Sequence, residues 1–168
     1  PADCNSVTTV AASLGATNFN GVEDAEISPV DGMVYFTSKG KNRIYRFKDT
    51  SVTGTTVTEF ETFVGGQSYP IETATGTVTV DWEDGNDNIT FDDKGNLWLL
   101  QDGGKNYIWV VAPDHTQANP KVKLFASMPA GSEPTGLTFT PDHKFGFFSI
   151  QHPDSTISTD IDATGNTI

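Results

Sequence analysis

The stretch NGVEDAEISPVDGMVYFTSKGKNRIYRFKD (residues 20–49) aligns without a gap with DGNDNITFDDKGNLWLLQDGGKNYIWVVAP (residues 84–113), 64 residues further along the chain. Gly40-Lys41-Asn42 of the first copy falls on Gly104-Lys105-Asn106 of the second, and the apolar positions coincide. Each copy opens a unit of about 43 residues with four short apolar stretches, separated by turn sequences and without helical periodicity. Such units predict an all-β protein built from the four-stranded blades of a β-propeller.

Eight strands are predicted in these two units. In the first unit they are expected at about residues 22–28, 33–38, 43–47 and 57–64, and in the second at about 88–92, 96–101, 107–111 and 121–128.

The stretch GSEPTGLTFTPDHKFGFFSIQHP (residues 131–153) predicts the first half of a third blade. Two alternating apolar runs flank the turn Pro141-Asp142-His143. Antiparallel pairing of the two runs brings their outer ends together. We therefore expect Glu133 to lie beside Gln151-His152.

The two ends of the chain predict an incomplete propeller of about three blades. VAASLGA (residues 10–16) resembles LFASMPA (residues 124–130), the predicted outer strand of the second blade. One arrangement closes a three-bladed ring; the favoured one is a segment of a larger propeller, because a blade buries its faces only against neighbours. The expected parts of this single partial domain are 1–19 (outer strand of a preceding blade), 20–64 (blade), 65–85 (insertion with one added strand in TGTVTVDW), 86–130 (blade) and 131–168 (incomplete blade).

Composition fits a single turn-rich domain. The 168 residues include 16 Gly and 9 Pro, and 36% are hydrophobic. The net charge of −12 disfavours binding to a nucleic-acid backbone and favours hard cations such as Ca²⁺. No apolar run reaches the roughly 20 residues of a membrane span. The lone cysteine, Cys4, excludes an intrachain disulfide.

Acidic and amide side chains stand where strands of the three units meet the propeller axis. Glu23-Asp24, Asp87-Asn88 and Glu133 begin the first strands, while Asp102 and Gln151-His152 end the second strands. First strands line the central channel, so these groups are expected to converge. Convergent carboxylates repel one another unless a cation compensates them, and this predicts a metal site. The alternative is that the acids simply form turns.

The loop DWEDGNDN (residues 81–88) is a weak calcium motif. It lacks the full alternating ligand set, and Asp92 stands where a calcium loop has a bidentate Glu. Asn88-Ile89-Thr90 also matches a glycosylation acceptor. His115 and His143 lie in turn sequences and are expected to be solvated. Aromatic residues that alternate with polar ones are expected in the core between blades: Tyr35, Tyr45, Trp98, Trp109 and Phe147.

Three motifs together resemble the C-terminal half of the PhoX-type alkaline phosphatases. They are Glu23-Asp24 with ISPVDGMVYFT (27–37), DNITFDDKGNLWLLQDG (87–103) and SEPTGLTFTPDHKFGFFSIQHP (132–153). The resemblance implies a secreted or periplasmic bacterial β-propeller enzyme that cleaves phosphate monoesters with calcium and iron. It implies metal-ligand or active-site roles for Glu23, Asn88 and Glu133, with Asp102 and Gln151-His152 close by.

The residues and the resemblance give the following expected site. Glu133 and His152 are the expected catalytic residues, and the expected metal ligands are Glu23, Asp24, Asp87, Asn88, Asp102 and Glu133. A small phosphorylated substrate and the remaining part of the propeller are the expected partners. Clustered cations suit this chemistry because they stabilise negative charge on a phosphoryl group.

Two departures from the family pattern keep other functions open. Gly21-Val22 stands where family members often have Arg-Pro, and the context of Cys4 does not match the iron-binding cysteine. The cofactors that the resemblance implies are calcium and, as a second metal, iron, whose cysteine ligand is not matched in this chain. The alternatives are a non-catalytic propeller segment stabilised by calcium and a calcium-dependent lactonase-like propeller. The chain lacks G-x-S-x-G, phosphate-loop and H-E-x-x-H motifs, which leaves those hydrolase and NTPase classes unsupported.

Overall fold

The computed structural model describes residues 6–103, 105–129 and 131–152. Within these residues one α-helix, α1 (Val7–Ser13), precedes twelve strands. The strands are β1 (Ala25–Ile27), β2 (Val34–Ser38), β3 (Arg43–Asp49), β4 (Val57–Gly65), β5 (Tyr69–Thr73), β6 (Gly76–Val80), β7 (Asn86–Phe91), β8 (Leu97–Gln101), β9 (Tyr107–Val111), β10 (Val122–Ser127), β11 (Glu133–Phe139) and β12 (Gly146–Gln151).

The strands form the blades expected of a propeller segment. Strands β1 to β4 make one antiparallel sheet in chain order (blade 1), and β7 to β10 make a second (blade 2). Strands β11 and β12 pair as the start of blade 3. All eight strands predicted in the repeat are present with shifts of a few residues at their ends. The fold class predicted from the repeat is therefore confirmed.

Equivalent residues form the contacts between successive blades. Ile27 pairs with Val34 in blade 1, and Phe91 pairs with Leu97 in blade 2, so the second strand is one residue out of step with the gapless alignment. This slip makes Tyr35 the counterpart of Trp98. The Tyr35 ring packs edge-on against Phe91 of blade 2 with centroids 5.1 Å apart. Trp98 packs in the same way against Phe139 of blade 3, at 5.5 Å.

Of the aromatic residues expected in the core, Tyr35, Tyr45 and Trp109 are buried. Trp98 is half-buried between Phe125 and Phe139. Phe147 was expected in the core but is 60% exposed, because its position corresponds to those of Tyr35 and Trp98, which pack against a following blade, and the described residues include no blade after β12. Its placement in the core is therefore wrong for the described structure.

A buried polar network joins the two central strands of blade 2 to the segment before it. The Trp109 indole N–H donates to Gln101 Oε1 over 2.8 Å, and the Gln101 amide donates to the Glu83 carbonyl over 2.8 Å. The Trp82 indole N–H donates to Asn86 Oδ1 over 3.0 Å. Trp82 also stacks on Trp109, with ring centroids 5.0 Å apart. These bonds satisfy polar groups that burial would otherwise leave unpaired.

The expected outer strand at residues 10–16 is wrong, because residues 7–13 form α1. The segment VTTVAAS contains two alanines, which favour a helix, and none of its residues is buried. Local helical hydrogen bonds satisfy its backbone without a neighbouring strand. Residues 1–5, with Cys4, and residues 153–168 of the expected incomplete blade lie outside the described residues.

The insertion contains a hairpin of β5 and β6 where one strand was expected. The unpredicted strand β5 contains Pro70, which is tolerated because an edge strand does not need its missing N–H for a neighbour. Tyr69 anchors the hairpin: its ring packs edge-on against Trp82, and its hydroxyl donates to Gln117 Oε1 over 2.7 Å.

His115 was expected in solvent but is 1% exposed. Its ring packs edge-on against Phe63 and Tyr69, and its Nδ1 accepts the Lys121 backbone N–H over 3.0 Å. Burial lowers the pKa of His115 below its ordinary value, and the nearby Arg46 charge acts in the same direction while Asp114 opposes it. His143, in contrast, is exposed as expected.

Replacement of Gln101 by Met is expected to lower the free energy of unfolding by about 1–3 kcal/mol, because the Trp109 N–H and the Glu83 carbonyl lose their buried partner. Gln67→Met provides the exposed control: it removes hydrogen bonds to Gln117 that water can replace, and its loss of stability is expected to be smaller than that of Gln101→Met. Urea unfolding measures both. Equal stabilities of the two variants would contradict a structural role of the network.

The buried His115 predicts a loss of stability in mild acid. Its pKa is lowered in the fold, so the stability it contributes is present above the unfolded value of about 6.5 and is lost as pH falls below that value. Between about pH 7.5 and about pH 5 the wild type is expected to lose more stability than His115→Asn, which retains an acceptor but does not titrate. His143→Asn is the exposed control. Parallel pH curves for all three proteins would contradict the prediction.

Candidate metal centre

Strand pairing gathers the expected site residues at one edge of the blades. Glu133, the first residue of β11, lies directly opposite Gln151, the last residue of β12. In blade 2 the same geometry sets Asn86, the first residue of β7, opposite Gln101, the last residue of β8. Asp87 and Asp102 follow these residues in sequence. The expected proximity of Glu133 and Gln151 is confirmed.

Three carboxylates converge at this edge. One oxygen each of Asp87, Asp102 and Glu133 lies within 4.8 Å of the other two, and all three residues are half-buried. Burial raises the pKa of Asp87 above its ordinary value. The Lys39 charge lowers that pKa, while the negative charges of Glu23, Asp102 and Glu133 raise it. The group therefore has the oxygen ligands of a cation site.

Lys39 is the site residue that the sequence did not reveal. Its ammonium donates a hydrogen bond to Asp102 Oδ2 and lies 3.8 Å from Asp87 Oδ2. The hydrogen bond to Asp102 is the main cause that raises the pKa of Lys39, and Asp87 and Glu23 add to it. In sequence Lys39 looks like an ordinary turn lysine, because its partner Asp102 is in another blade.

Glu23 lies near the three carboxylates without being one of them. Its charge acts on both Lys39 and Asp87. Glu23 is exposed and lies just before β1, the first strand of blade 1. Its assignment as a metal ligand remains a prediction.

Asp24 and Asn88 join neighbouring blades. Asp24 Oδ2 accepts the Ile89 backbone N–H of blade 2 over 2.9 Å. Asn88, 64 residues later, uses Oδ1 to accept the Gly136 N–H of blade 3 over 3.0 Å and the Thr135 hydroxyl over 2.6 Å. These bonds occupy the oxygens that the sequence assigned to a metal, so metal ligation by Asp24 and Asn88 stays a prediction without support from the geometry.

The amide nitrogen of Asn88 donates to Asp87 Oδ1 over 3.3 Å. Asn88 is thus both an inter-blade contact and a neighbour of the acidic cluster. Because its amide is engaged inside the fold, the geometry argues against its use as a glycosylation acceptor.

The weak calcium loop does not gather its own carboxylates. Asp81 accepts from the Ser68 hydroxyl over 2.6 Å, and Glu83 pairs with Lys105 at 3.3 Å. Asp84 accepts from the Asn42 amide. Asp87 alone among the four points into the three-carboxylate group. Cation binding within the described structure is therefore expected at that group and not within the loop.

His152 follows β12 and is exposed, with a left-handed φ of 53°. It lies beyond Gln151, the residue opposite Glu133, and it is not part of the three-carboxylate group. Its catalytic assignment remains a prediction.

The family model described as alkaline phosphatase PhoX matches residues 2–154. The chain belongs to the PhoX family. No curated protein matches it.

A solved PhoX structure shares the fold. Pseudomonas fluorescens PhoX, in complex with vanadate, a transition state analogue, is 25% identical in sequence, with a TM-score of 0.63. The match covers 86% of this chain and 31% of that chain. This chain therefore spans about a third of the length of the PhoX protein that it matches. In its described part, no helix has the length and apolarity to cross a bilayer.

The role of Asp24 in this PhoX-family chain can be separated from metal ligation. Asp24→Ala removes the acceptor of the Ile89 N–H and is expected to lower the free energy of unfolding by about 1–3 kcal/mol. Asp24→Asn keeps an acceptor oxygen, as Asn88 does in blade 2, and is expected to retain most of the stability. Urea unfolding in the presence of a chelator compares them. Equal losses in both variants would show that the carboxylate charge, and not the hydrogen bond, matters.

Proposed function

We propose that this chain forms part of a metal-dependent phosphate monoester hydrolase, with a cation held by Asp87, Asp102 and Glu133. The observation that supports this most directly is the convergence of the three carboxylate oxygens within 4.8 Å of one another. Membership in the PhoX family and the match to a PhoX–vanadate complex support the phosphatase over the lactonase-like alternative.

The donor set fits calcium better than iron. All three groups are carboxylates, the hard oxygen ligands that Ca²⁺ prefers. Within the described residues the group contains neither a histidine nor a cysteine, ligands typical of transition metals. Calcium is therefore the proposed cation at this group. Iron remains an expectation from the family resemblance.

The charges around the three carboxylates explain why a cation is needed there. Asp87, Asp102 and Glu133 are gathered with Glu23 nearby, and Lys39 is the positive group that faces them. This surplus of negative charge repels a phosphate dianion. A bound cation would supply the positive charge that attracts the phosphoryl oxygens and stabilises the charge developing on them.

The strands hold these groups in position for that task. Asp87 receives a hydrogen bond from Asn88, which is itself fixed to blade 3 through Gly136. Glu133 is fixed by pairing of β11 with β12. The relative positions of Asp87 and Glu133 therefore depend on the packing of blade 2 against blade 3.

We also propose that the remaining blades of a propeller complete the site and that the protein is secreted or periplasmic. The exposed Phe147 occupies the position through which Tyr35 and Trp98 contact the next blade, and this supports a further blade beside β12. The extent of the match, 31% of Pseudomonas fluorescens PhoX, is consistent with such a larger site. The proposed location follows from the family alone.

In the protein with the complete propeller proposed above, Glu133→Gln is expected to reduce hydrolysis of p-nitrophenyl phosphate by roughly 100-fold or more, since a neutral amide binds a cation poorly. The fold should be retained, because the residue keeps its size and its place in β11. Glu26→Gln is the matched control: Glu26 is exposed on β1 and lies outside the three-carboxylate group. Unchanged turnover in Glu133→Gln would refute the role of Glu133.

In the same protein, removal of metal by a chelator is expected to abolish hydrolysis, and added calcium should restore it. Hydrolysis that survives chelation would contradict the proposed metal dependence. Calcium binding without hydrolysis of any phosphate ester would favour the non-catalytic, calcium-stabilised alternative.

A further inference from the structure

The Lys39 ammonium lies inside the acidic cluster of the candidate centre. It donates to Asp102 and lies 3.8 Å from Asp87 Oδ2. The side chains of Lys39 and Asp102 are each 35% exposed, and that of Asp87 is 17% exposed. The ion pair between Lys39 and Asp102 is partly shielded from water, so it is stronger than an ion pair on the open surface. In the described part of the chain, Lys39 is the cation that pairs with this cluster.

The backbone fixes the origin of the Lys39 side chain. Lys39 follows β2 in a short 3₁₀ turn, and its N–H donates to the Gly21 carbonyl over 2.7 Å. The next amide, of Gly40, donates to the Asn20 carbonyl over 2.9 Å. The turn is thereby attached to the segment that leads to Glu23. These backbone hydrogen bonds, and not the charge of Lys39 alone, hold the residue beside the acidic cluster.

The contacts of Lys39 use oxygens that a metal would need. Ca²⁺ binds six to eight oxygen ligands, and the carboxylates of Asp87 and Asp102 are two of the three groups gathered here. An ammonium bonded to those carboxylates both blocks their lone pairs and repels an arriving cation. The ammonium and the metal therefore exclude each other from the same oxygens.

We propose that Lys39 is the built-in counter-cation of this cluster, and that binding of a divalent cation displaces it from Asp87 and Asp102. The proposal rests on the cation site of the proposed function, and it adds a competitor that sets the affinity of that site. Without calcium, Lys39 stabilises the fold by offsetting carboxylate repulsion. With calcium bound, this contribution is replaced.

Lys39→Met tests the competition, because methionine keeps the length of the stem and removes the charge. Calcium affinity, measured by calorimetric titration of the metal-free protein, is expected to rise by about three- to thirtyfold. The melting temperature is expected to fall in chelator and to return to the wild-type value in saturating calcium. Lys41→Met, at an exposed lysine of the same turn, is expected to change neither quantity. Lys39→Arg retains the charge and is expected to keep the weaker wild-type affinity.

The outcomes separate this inference from the proposed function. Failure of the wild type to bind calcium would contradict the cation site itself. Calcium binding by the wild type, with equal or weaker binding by Lys39→Met, would overturn the competition and leave the site intact. A loss of melting temperature in Lys39→Met that persists in saturating calcium would assign Lys39 a purely structural role and also overturn the inference.

A measurement on the wild type guards against poor folding of the variant. The Lys39 amine is expected to show slow proton exchange by NMR in chelator and faster exchange when calcium is added, since its carboxylate partners are withdrawn. The exposed Lys41 amine serves as the internal reference. A Lys39 signal unaffected by saturating calcium would contradict displacement.

Discussion

Antiparallel pairing of the first two strands in each blade brings the beginning of one strand beside the end of the next, and the candidate centre depends on this pairing. Glu133 lies opposite Gln151 for this reason, and Asp87 and Asp102 are brought together by the same pairing in blade 2. Side chains far apart in sequence thus meet without any special loop. The stacking of blades then brings the two edges into contact.

Like charges limit how closely such edges can approach. The centre collects carboxylates from two blades, and the raised pKa of Asp87 shows the combined effect of burial and this crowding. Lys39, which belongs to blade 1, partly offsets the repulsion between these carboxylates. Asp24 and Asn88 add a second kind of contact, in which a side-chain oxygen accepts a hydrogen bond from a backbone N–H of the following blade. Charge and hydrogen bonding therefore act at the same inter-blade edges.

Periodic features of the chain were visible in the sequence because they are local. Alternating apolar residues and turn signals gave the strands of blades 1 and 2, and the repeat gave their equivalence. The pairing of Glu133 with Gln151 followed from one hairpin. The convergence of Asp87 and Asp102 with Glu133 was also expected, since strand ends share an edge.

Features that depend on contacts between distant segments were missed. Lys39 looks solvated until Asp102 of another blade is placed beside it. His115 occupies a turn sequence, but Phe63 of blade 1 covers it. The helix at residues 7–13 was not predicted, because the sequence of this segment resembles an outer strand of blade 2 and its own helical preference is weak. For Asp24, the chemistry of the side chain suits a metal and a backbone amide equally well, and only geometry distinguishes them.

The distribution of the charged groups over the blades has a mechanical consequence. Lys39 belongs to blade 1 and its partners Asp87 and Asp102 to blade 2, so the ammonium fastens the first interface. Glu133 belongs to blade 3, so an ion shared by the three carboxylates would fasten the second interface instead. If a divalent cation displaces Lys39 as proposed, the ionic contact would move from the interface between blades 1 and 2 to the interface between blades 2 and 3.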